Sequence, residues 1–169
     1  RGMRAVISTN GTLITEARAA RLKNLGLSYV GVSLDGLGAT HDSFRKVDGA
    51  FNKAMAGVRN CMAQGIKVGL RCTINRLNTH EIGPIFDLME AERIPRVCFY
   101  HLVVSGRGAA IRQMMLSHDE TRAALDLIMD RTSALFARGF EPEVLTVDNH
   151  ADGPYVYLRL LREDPARAA

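Results

Sequence analysis

Five short strand-like runs alternate with helix-like stretches along the chain. The runs are nearly continuous in apolar residues: RAVIST (4–9), SYVGVSL (28–34), IKVGLRCTI (66–74), RVCFYHLVV (96–104) and EVLTVD (143–148). Strands of this kind are typical of parallel sheets whose faces are covered by helices or that close into a barrel. The order β-α-β-α-β-α-β-α-β therefore predicts an α/β fold.

Between the runs, apolar residues recur three and four positions apart, which is the spacing of one helix face. The predicted helices cover 15–25, 51–62, 82–89 and 125–136. Two of them begin with residues at the spacing of an N-terminal capping pair: Asn78 with Glu81, and Ser117 with Glu120. These start signals support the helical interpretation of the periodicity.

The character of the chain changes after Asp148. The segment NHADGPYVYLRLLREDPARAA contains turn residues, a short aromatic and aliphatic run, and a charged tail. We therefore expect one domain over 1–148, and a linker or the start of a C-terminal extension over 149–169.

The composition is that of an ordinary globular chain. Of 169 residues, 47% are hydrophobic and 24% are charged, which is enough for one domain with a sizeable core. The 22 basic residues are mixed with 18 acidic ones, and no basic run is interleaved with aromatic residues, so we expect no nucleic-acid partner. The apolar runs are too short to span a bilayer, so we expect no membrane partner.

The three cysteines are Cys61, Cys72 and Cys98. They are too far apart for a CxxC metal knuckle or a cluster-binding run. Cys61 falls on a predicted helix, and the other two fall in predicted strands. We therefore expect reduced core thiols, as in a cytoplasmic protein.

Polar residues follow four consecutive predicted strands. They are Ser8 to Gly11 after the first strand, Ser33, Asp35 and Gly36 after the second, Thr73, Asn75 and Arg76 after the third, and His101 to Gly108 after the fourth. The carboxyl ends of parallel strands meet at one edge, where ligands commonly bind. Each group alone has a structural explanation as a turn former or helix cap, but four in succession predict a polar ligand site.

The succession STNGTLI, YVGVSLDG, HDSFRKVDGAF and GLRCTIN resembles the third to fifth strand units of radical S-adenosylmethionine (SAM) enzymes. The resemblance is to the branch with a SPASM or twitch C-terminal extension, and it covers residues 1–108. It implies a partial (β/α)6 TIM-like barrel of parallel strands with outer helices, incomplete at both ends. It also implies an oxidoreductase that generates a 5′-deoxyadenosyl radical from SAM.

The resemblance implies roles for individual residues. Ser33 in SLDG corresponds to a serine that binds the ribose and methionine of SAM, and Arg45 in HDSFR corresponds to an arginine that contacts its carboxylate. Thr9 and Asn10 in STNG fall where third-strand groups approach the methionine moiety. Weaker cofactor-binding candidates are Asp35, which equally suits a turn, and Asn75 and Leu102 at the next two strand ends. A guanidinium fork and hydroxyl groups suit the carboxylate and ribose of SAM.

Three parts of the family pattern are missing. The chain has neither the CxxxCxxC run, whose thiolates hold a 4Fe–4S cluster, nor the glycine-rich GGE motif, nor the C-terminal cysteine set of a SPASM domain. The first strand of this chain corresponds to the third strand of the family's barrel, and the first residue is Arg1 rather than Met. We therefore expect truncation at both ends. The implied cofactors are thus SAM and a 4Fe–4S cluster whose ligands lie outside this chain, and the piece alone is expected to be inactive.

The segments CFYHLVVSGRG and TVDNHADGPYVYLRLL resemble more narrowly the radical SAM proteins of haem d1 biosynthesis. This implies modification of the propionate side chains of a sirohaem-derived tetrapyrrole, with an electron donor such as a flavodoxin or a ferredoxin. His101, Ser105 and Arg107 are then candidates for substrate binding, because Arg pairs with carboxylates.

Two alternatives stay open at this point. One is a radical SAM enzyme of the same branch that matures a peptide or a sulfatase. The other is a non-catalytic α/β domain that binds a metabolite, with the polar residues at the strand ends serving only as caps.

Overall fold

Five parallel strands form one open sheet in the computed structural model, which describes residues 2–104 and 111–168. The strands are β1 (Val6–Thr9), β2 (Tyr29–Ser33), β3 (Lys67–Ile74), β4 (Arg96–His101) and β5 (Glu143–Val147). The helices are α1 (Glu16–Asn24), α2 (Gly38–Arg45), α3 (Ala50–Ala63), α4 (Ile82–Glu92), α5 (His118–Ala137), α6 (Asp152–Glu163) and α7 (Pro165–Ala168), with a short 3₁₀ turn at Thr79–Glu81. The predicted parallel α/β fold is confirmed.

Each strand pairs with the next one along the chain, so the sheet order is β1-β2-β3-β4-β5. Parallel strands joined in this order by right-handed crossovers place their connecting helices on one side of the sheet. The burial of β2 agrees, because Val30 and Val32 are fully buried whereas Tyr29 and Ser33 are partly exposed. We call the helix-covered side the outer face and the opposite side the inner face.

The outer face forms the core with α3, α4 and α5. Its central side chains are almost completely buried, and they include Val32, Leu70, Ile74, Val97 and Phe99. Phe99 stacks on Phe86 of α4, with 5.8 Å between the ring centroids. The core therefore lies between the sheet and one layer of helices.

Three helices, α2, α6 and α7, were not predicted from the sequence. The α2 helix is short and begins at a glycine with no side-chain cap, so neither its periodicity nor its start gives a clear signal. The segment expected to be a linker or an incomplete element contains α6 and α7, and Asp152, Gly153 and Pro154 occupy the first turn of α6. Proline is tolerated there because the first N–H groups of a helix have no partner within it.

The α6 helix is attached to α5 by polar contacts. Tyr155 Oη donates to Asp126 at 3.0 Å, and Arg159 Nη1 lies 2.9 Å from the same carboxylate. These contacts join the last long helix to the body of the domain, although the proposed domain boundary after residue 148 stays a prediction.

The two predicted helix starts have different outcomes. Ser117 and Glu120 form the predicted capping box at the start of α5. Asn78 instead accepts from the N–H of Asn75 at 2.8 Å, and Glu81 lies in the 3₁₀ turn rather than at the third position of a capped helix. The capping pair predicted at this position was wrong, because the Asn78 side chain braces the preceding turn.

A helix needs about 20 consecutive apolar residues to span a bilayer. In the parts of the chain that the structure describes, no helix is long and apolar enough to cross a membrane.

Candidate functional site

The carboxyl ends of β2 and β3 are joined by a network centred on Asp35, which is 2% exposed. Its carboxylate forms an ion pair with the Arg45 guanidinium and accepts from the N–H of Thr73 at 3.1 Å. Its carbonyl oxygen accepts from Asn78 Nδ2 at 3.1 Å. Both carboxylate oxygens of Asp35 thus have protein partners, so Asp35 holds Arg45 in place and ties β2 to the turn after β3.

His41 and Asp42 belong to the same network, and we call these two residues together with Asp35 and Arg45 the brace at the carboxyl edge. The buried His41 ring accepts from the N–H of Asp35 through Nδ1 at 3.1 Å, and burial with the nearby Arg45 charge lowers the His41 pKa. Asp42 accepts from the N–H groups of Gly49 and Phe51 at 2.8 and 2.7 Å, and these bonds hold its pKa low. The HDSFR segment therefore caps α3 and fixes Arg45 at the end of β2.

The side chain of Asn75 is engaged in its own turn. Its Nδ2 donates to the carbonyl of Thr73 at 3.0 Å, and its Oδ1 accepts from the N–H of Leu77 at 2.9 Å. Asn75 is also 1% exposed. The structure therefore places this predicted cofactor-binding residue in the turn after β3, where its side chain is already bonded to the backbone.

The TNG turn after β1 places its two predicted residues differently. Thr9 pairs with Val32 in register, so it lies on the outer face, and its Oγ1 accepts from the N–H of Gly11 at 3.1 Å. Asn10 accepts from Thr12 through Oδ1 and lines a cavity of about 300 Å³ that is also lined by Arg45. Asn10 and Arg45 are thus brought together, whereas Thr9 shapes the turn.

Gly11 is needed where it stands in this turn. Its φ of +74° lies in the left-handed region, and a Cβ there would come within 2.8 Å of Val32 Cγ1. A larger residue would therefore be strained by its backbone and by its packing. The glycine lets the turn that carries Asn10 pack against the core.

Ser33 lies on the inner face, in register with Arg71 of β3. Arg71 shares this face with Tyr29, Arg96 and Tyr100, and none of these four was among the residues predicted for a site. A period of two in KVGLRCTI, with Lys67, Gly69, Arg71 and Thr73 alternating with apolar residues, was the available signal. These apolar residues face the helices, and the alternate polar residues face away from them.

His101, the last residue of β4, is paired with Asp152 of α6. His101 Nε2 lies 2.7 Å from Asp152 Oδ2, and both side chains are mostly buried. Asp152 Oδ1 has no partner among the described residues. His101 and Leu102 line a second cavity of about 260 Å³ with His118 and Asn149.

The sequence predicted His101 but missed Asp152, because Asp152 falls in the segment expected to be a linker. The other two predicted substrate-binding residues, Ser105 and Arg107, lie outside the described residues.

The three cysteines are free and buried, as predicted. Burial raises the pKa of both Cys61 and Cys72, which opposes the thiolate form needed to bind iron. Within residues 2–104 and 111–168, no three His, Cys, Asp or Glu side chains are grouped as a metal site. The described cysteines therefore do not fit a 4Fe–4S cluster.

The sequence profile of the Radical SAM superfamily matches residues 1–89. This chain belongs to the radical SAM superfamily. The resemblance predicted from the STNG, SLDG and HDSFR motifs is thereby confirmed, and the open parallel sheet is the partial barrel that it implied.

This radical SAM chain is 60% identical over all 169 residues to the Fe-coproporphyrin III synthase of Methanosarcina barkeri, and it covers 42% of that protein. It is 42% identical over 150 residues to the Pre-heme d1 synthase of Dinoroseobacter shibae, covering 88% of this chain and 37% of the relative. The chain thus spans about two fifths of the length of these two relatives.

Among solved structures, the radical SAM chain resembles native anSMEcpe with bound AdoMet, which is SAM. The TM-score is 0.70 at 18% identity, over 83% of this chain and 40% of the other. At this identity the likeness shows a shared fold. The roles of individual site residues remain predictions.

Proposed function

We propose that this chain is part of a radical SAM enzyme that modifies side chains of an iron tetrapyrrole. The observation that carries the proposal is the 60% identity, over every residue of the chain, to a relative named Fe-coproporphyrin III synthase. The relative named Pre-heme d1 synthase supports the same class of substrate. The higher identity to the former favours an iron porphyrin product over haem d1 within this class.

The described residues offer groups that suit SAM. We propose that Arg45 binds the SAM carboxylate, because it lines a cavity at the carboxyl edge and is held there by Asp35. We propose Ser33, on the inner face at the end of β2, as the partner of the ribose. When bound, SAM would supply a 5′-deoxyadenosyl radical that abstracts hydrogen from the substrate.

The other predicted cofactor residues take more limited roles in this proposal. Asn10 contacts the ligand from the cavity that it shares with Arg45, and Leu102 lines the cavity beyond β4. Thr9, Asp35 and Asn75 act mainly by positioning their turns, since their side-chain oxygens already accept backbone N–H groups. The 4Fe–4S cluster is assigned to ligands outside this chain, as the buried cysteines do not fit it.

The finer proposal is that the substrate is a sirohaem-derived tetrapyrrole whose propionate side chains are modified. His101 lies on the outer face, in register with Ile74, and is held by Asp152 beside a cavity at the carboxyl edge; it is the described residue proposed to contact the substrate from that edge. Ser105 and Arg107 are proposed partners of its carboxylates. A flavodoxin or a ferredoxin as electron donor, and a cytoplasmic location in keeping with the three free thiols, complete the proposal.

The test is turnover by the anaerobically purified full-length protein with SAM, a reductant and a sirohaem-derived tetrapyrrole. We expect 5′-deoxyadenosine together with a change in tetrapyrrole mass, both measured by liquid chromatography and mass spectrometry. Turnover of a precursor peptide, with no change in the tetrapyrrole, would instead support the peptide-maturation alternative.

A binding measurement tests the role of Arg45 separately. Arg45→Lys is expected to weaken SAM binding about tenfold, because lysine loses the bidentate fork of arginine. Arg59→Lys is the matched control, since Arg59 forms a fork with Glu92 on the exposed surface of α3. Equal affinities of both variants and the wild type in equilibrium dialysis would remove Arg45 from the SAM site.

A further inference from the structure

The inner face of the sheet is built differently from an ordinary solvent-exposed sheet face. Within the strands it carries three basic side chains, Lys67, Arg71 and Arg96, but one acidic side chain, Glu143. Glu143 pairs with both Lys67 and Arg96. The strands of this face therefore provide no acidic partner for the Arg71 guanidinium.

Arg71 and Tyr29 lie across the sheet because two glycines leave room for them. Gly31 and Gly69 are paired in register at the centre of the inner face. A Cβ on Gly31 would come within 2.7 Å of Arg71 Cδ, and a Cβ on Gly69 would overlap Tyr29 Oη. The missing Cβ atoms thus seat both side chains against the strand backbone.

The guanidinium of Arg71 is oriented by an aromatic ring. Its Cζ lies 4.5 Å from the centroid of the Tyr100 ring, and Arg96 lies 5.0 Å from the centroid of Tyr29. Arg96 also has a carboxylate partner at 3.2 Å, whereas Arg71 has none among residues 2–104 and 111–168. Burial raises the pKa of Tyr29, and that of Tyr100 to about 12, so both phenols are neutral near pH 7 and leave the Arg71 charge uncompensated.

The position of Arg71 places this charge beside the proposed SAM site. Arg71 is the register partner of Ser33, the residue proposed for the ribose. Thr73 and Tyr100 follow at the next level, towards the carboxyl edge. A ligand that reaches Arg71 would therefore lie on the inner face, next to the cofactor.

We propose that Arg71, stacked on Tyr100, binds a carboxylate side chain of the tetrapyrrole on the inner face of the sheet. A partly buried guanidinium with no anionic partner gains from a carboxylate through two parallel N–H···O bonds. The tyrosine rings beside it offer flat apolar surface to a macrocycle. This proposal rests on the proposed tetrapyrrole function and adds the residue that recognises the substrate.

The test uses the full-length protein and Fe-coproporphyrin III as the probe, with binding followed by the absorbance of the porphyrin. Arg71→Gln is expected to raise the dissociation constant of the probe about tenfold or more, as for loss of a charge-assisted hydrogen bond. The dissociation constant of SAM, measured by equilibrium dialysis, is expected to stay within about twofold, because Arg45 is the residue proposed for its carboxylate.

Arg93→Gln is the matched control. Arg93 also stacks on an aromatic ring, at 4.3 Å from the centroid of Phe140, but it lies at the end of α4 on the helix side. We expect this variant to bind the probe and SAM as the wild type does. Circular dichroism of both variants checks that they are folded, and if Arg71→Gln does not fold, Arg71→Lys replaces it.

A second probe separates charge from shape. With the tetramethyl ester of Fe-coproporphyrin III, which has no carboxylate, the difference between the wild type and the Arg71 variant should disappear. If the Arg71 variant binds Fe-coproporphyrin III as the wild type does, or loses SAM binding to the same extent as porphyrin binding, the assignment of Arg71 is wrong. The proposed tetrapyrrole function would not be affected by either result. If the wild type binds neither porphyrin, the proposed tetrapyrrole function fails, and this inference fails with it.

Discussion

The two faces of the sheet carry opposite kinds of side chain on the three central strands, β2, β3 and β4. On the outer face, Val32, Leu70 and Phe99 are fully buried under helices. On the inner face, Arg71 and Tyr100 are partly exposed, and Arg71 stacks on the Tyr100 ring. The outer face therefore supplies most of the folding free energy, and the inner face can carry groups selected for a ligand.

The largest expected effect contrasts two neighbours on β4 that lie on opposite faces. Phe99→Ala should lower the free energy of unfolding by about 3–5 kcal/mol, because it leaves a cavity beside Phe86. Tyr100→Ala should cost less than half as much, since its ring is partly exposed. Chemical denaturation followed by circular dichroism measures both free energies of unfolding. Equal decreases in the two variants would contradict the claim that the outer face supplies most of the folding free energy.

A second contrast compares glycines on the two sides. A Cβ on Gly57 of α3 would overlap the carbonyl oxygen of Gly11, which belongs to the backbone of the TNG turn, whereas on Gly69 it would meet the movable end of Tyr29. Gly57→Ala should therefore cost about 2–3 kcal/mol and Gly69→Ala about 1 kcal/mol, the usual range for overpacking. Thermal unfolding of the two variants, side by side, decides whether the backbone contact is the harder one to relieve.

The brace at the carboxyl edge should contribute less to stability than the packing of Phe99 or of Gly57. Asp35→Asn keeps an acceptor for the N–H of Thr73 but leaves Arg45 without its carboxylate. Breaking a buried ion pair costs about 3–5 kcal/mol, and since Arg45 is 33% exposed, we expect about 1–2 kcal/mol. The affinity for SAM should fall as well, because Arg45 is no longer held; a loss of stability without any change in SAM affinity would argue that the brace is purely structural.

The smallest expected effect is on pH dependence. Burial lowers the pKa of His41 from its ordinary value of 6.5, so the unfolded chain binds a proton that the folded chain resists. The neutral His41 side chain therefore contributes to the free energy of unfolding above pH 6.5, and this contribution is lost as the pH falls below 6.5. His41→Asn keeps an acceptor for the N–H of Asp35 and should flatten the slope of the unfolding free energy below pH 6.5 by less than about 1.4 kcal/mol per pH unit. His80→Asn is the control, because the His80 side chain is 67% exposed.

Much of the architecture could be predicted from local sequence. The five strands, their parallel arrangement and the long helices follow from periods of hydrophobicity that need no tertiary information. The capping box at Ser117 is equally local. The α6 helix was missed because Asp152, Gly153 and Pro154 have turn propensities that are also tolerated in the first turn of a helix.

The candidate site was only partly predictable. Motifs pointed to Ser33 and Arg45, but they did not show that both oxygens of the Asp35 carboxylate are already engaged by Arg45 and the N–H of Thr73. The pairing of His101 with Asp152 joins residues on a strand and a later helix. Such contacts between distant segments leave no local pattern.

The sequence by itself determined the family, the order of the strands and the edge of the sheet where ligand-binding groups collect. Periodicity and short motifs record these properties residue by residue. Only the tertiary structure decided which groups on that edge already have partners and which do not. That distinction depends on register and burial: Arg71 lies over Gly31, against the Tyr100 ring and beside Ser33, because β2, β3 and β4 are paired as they are.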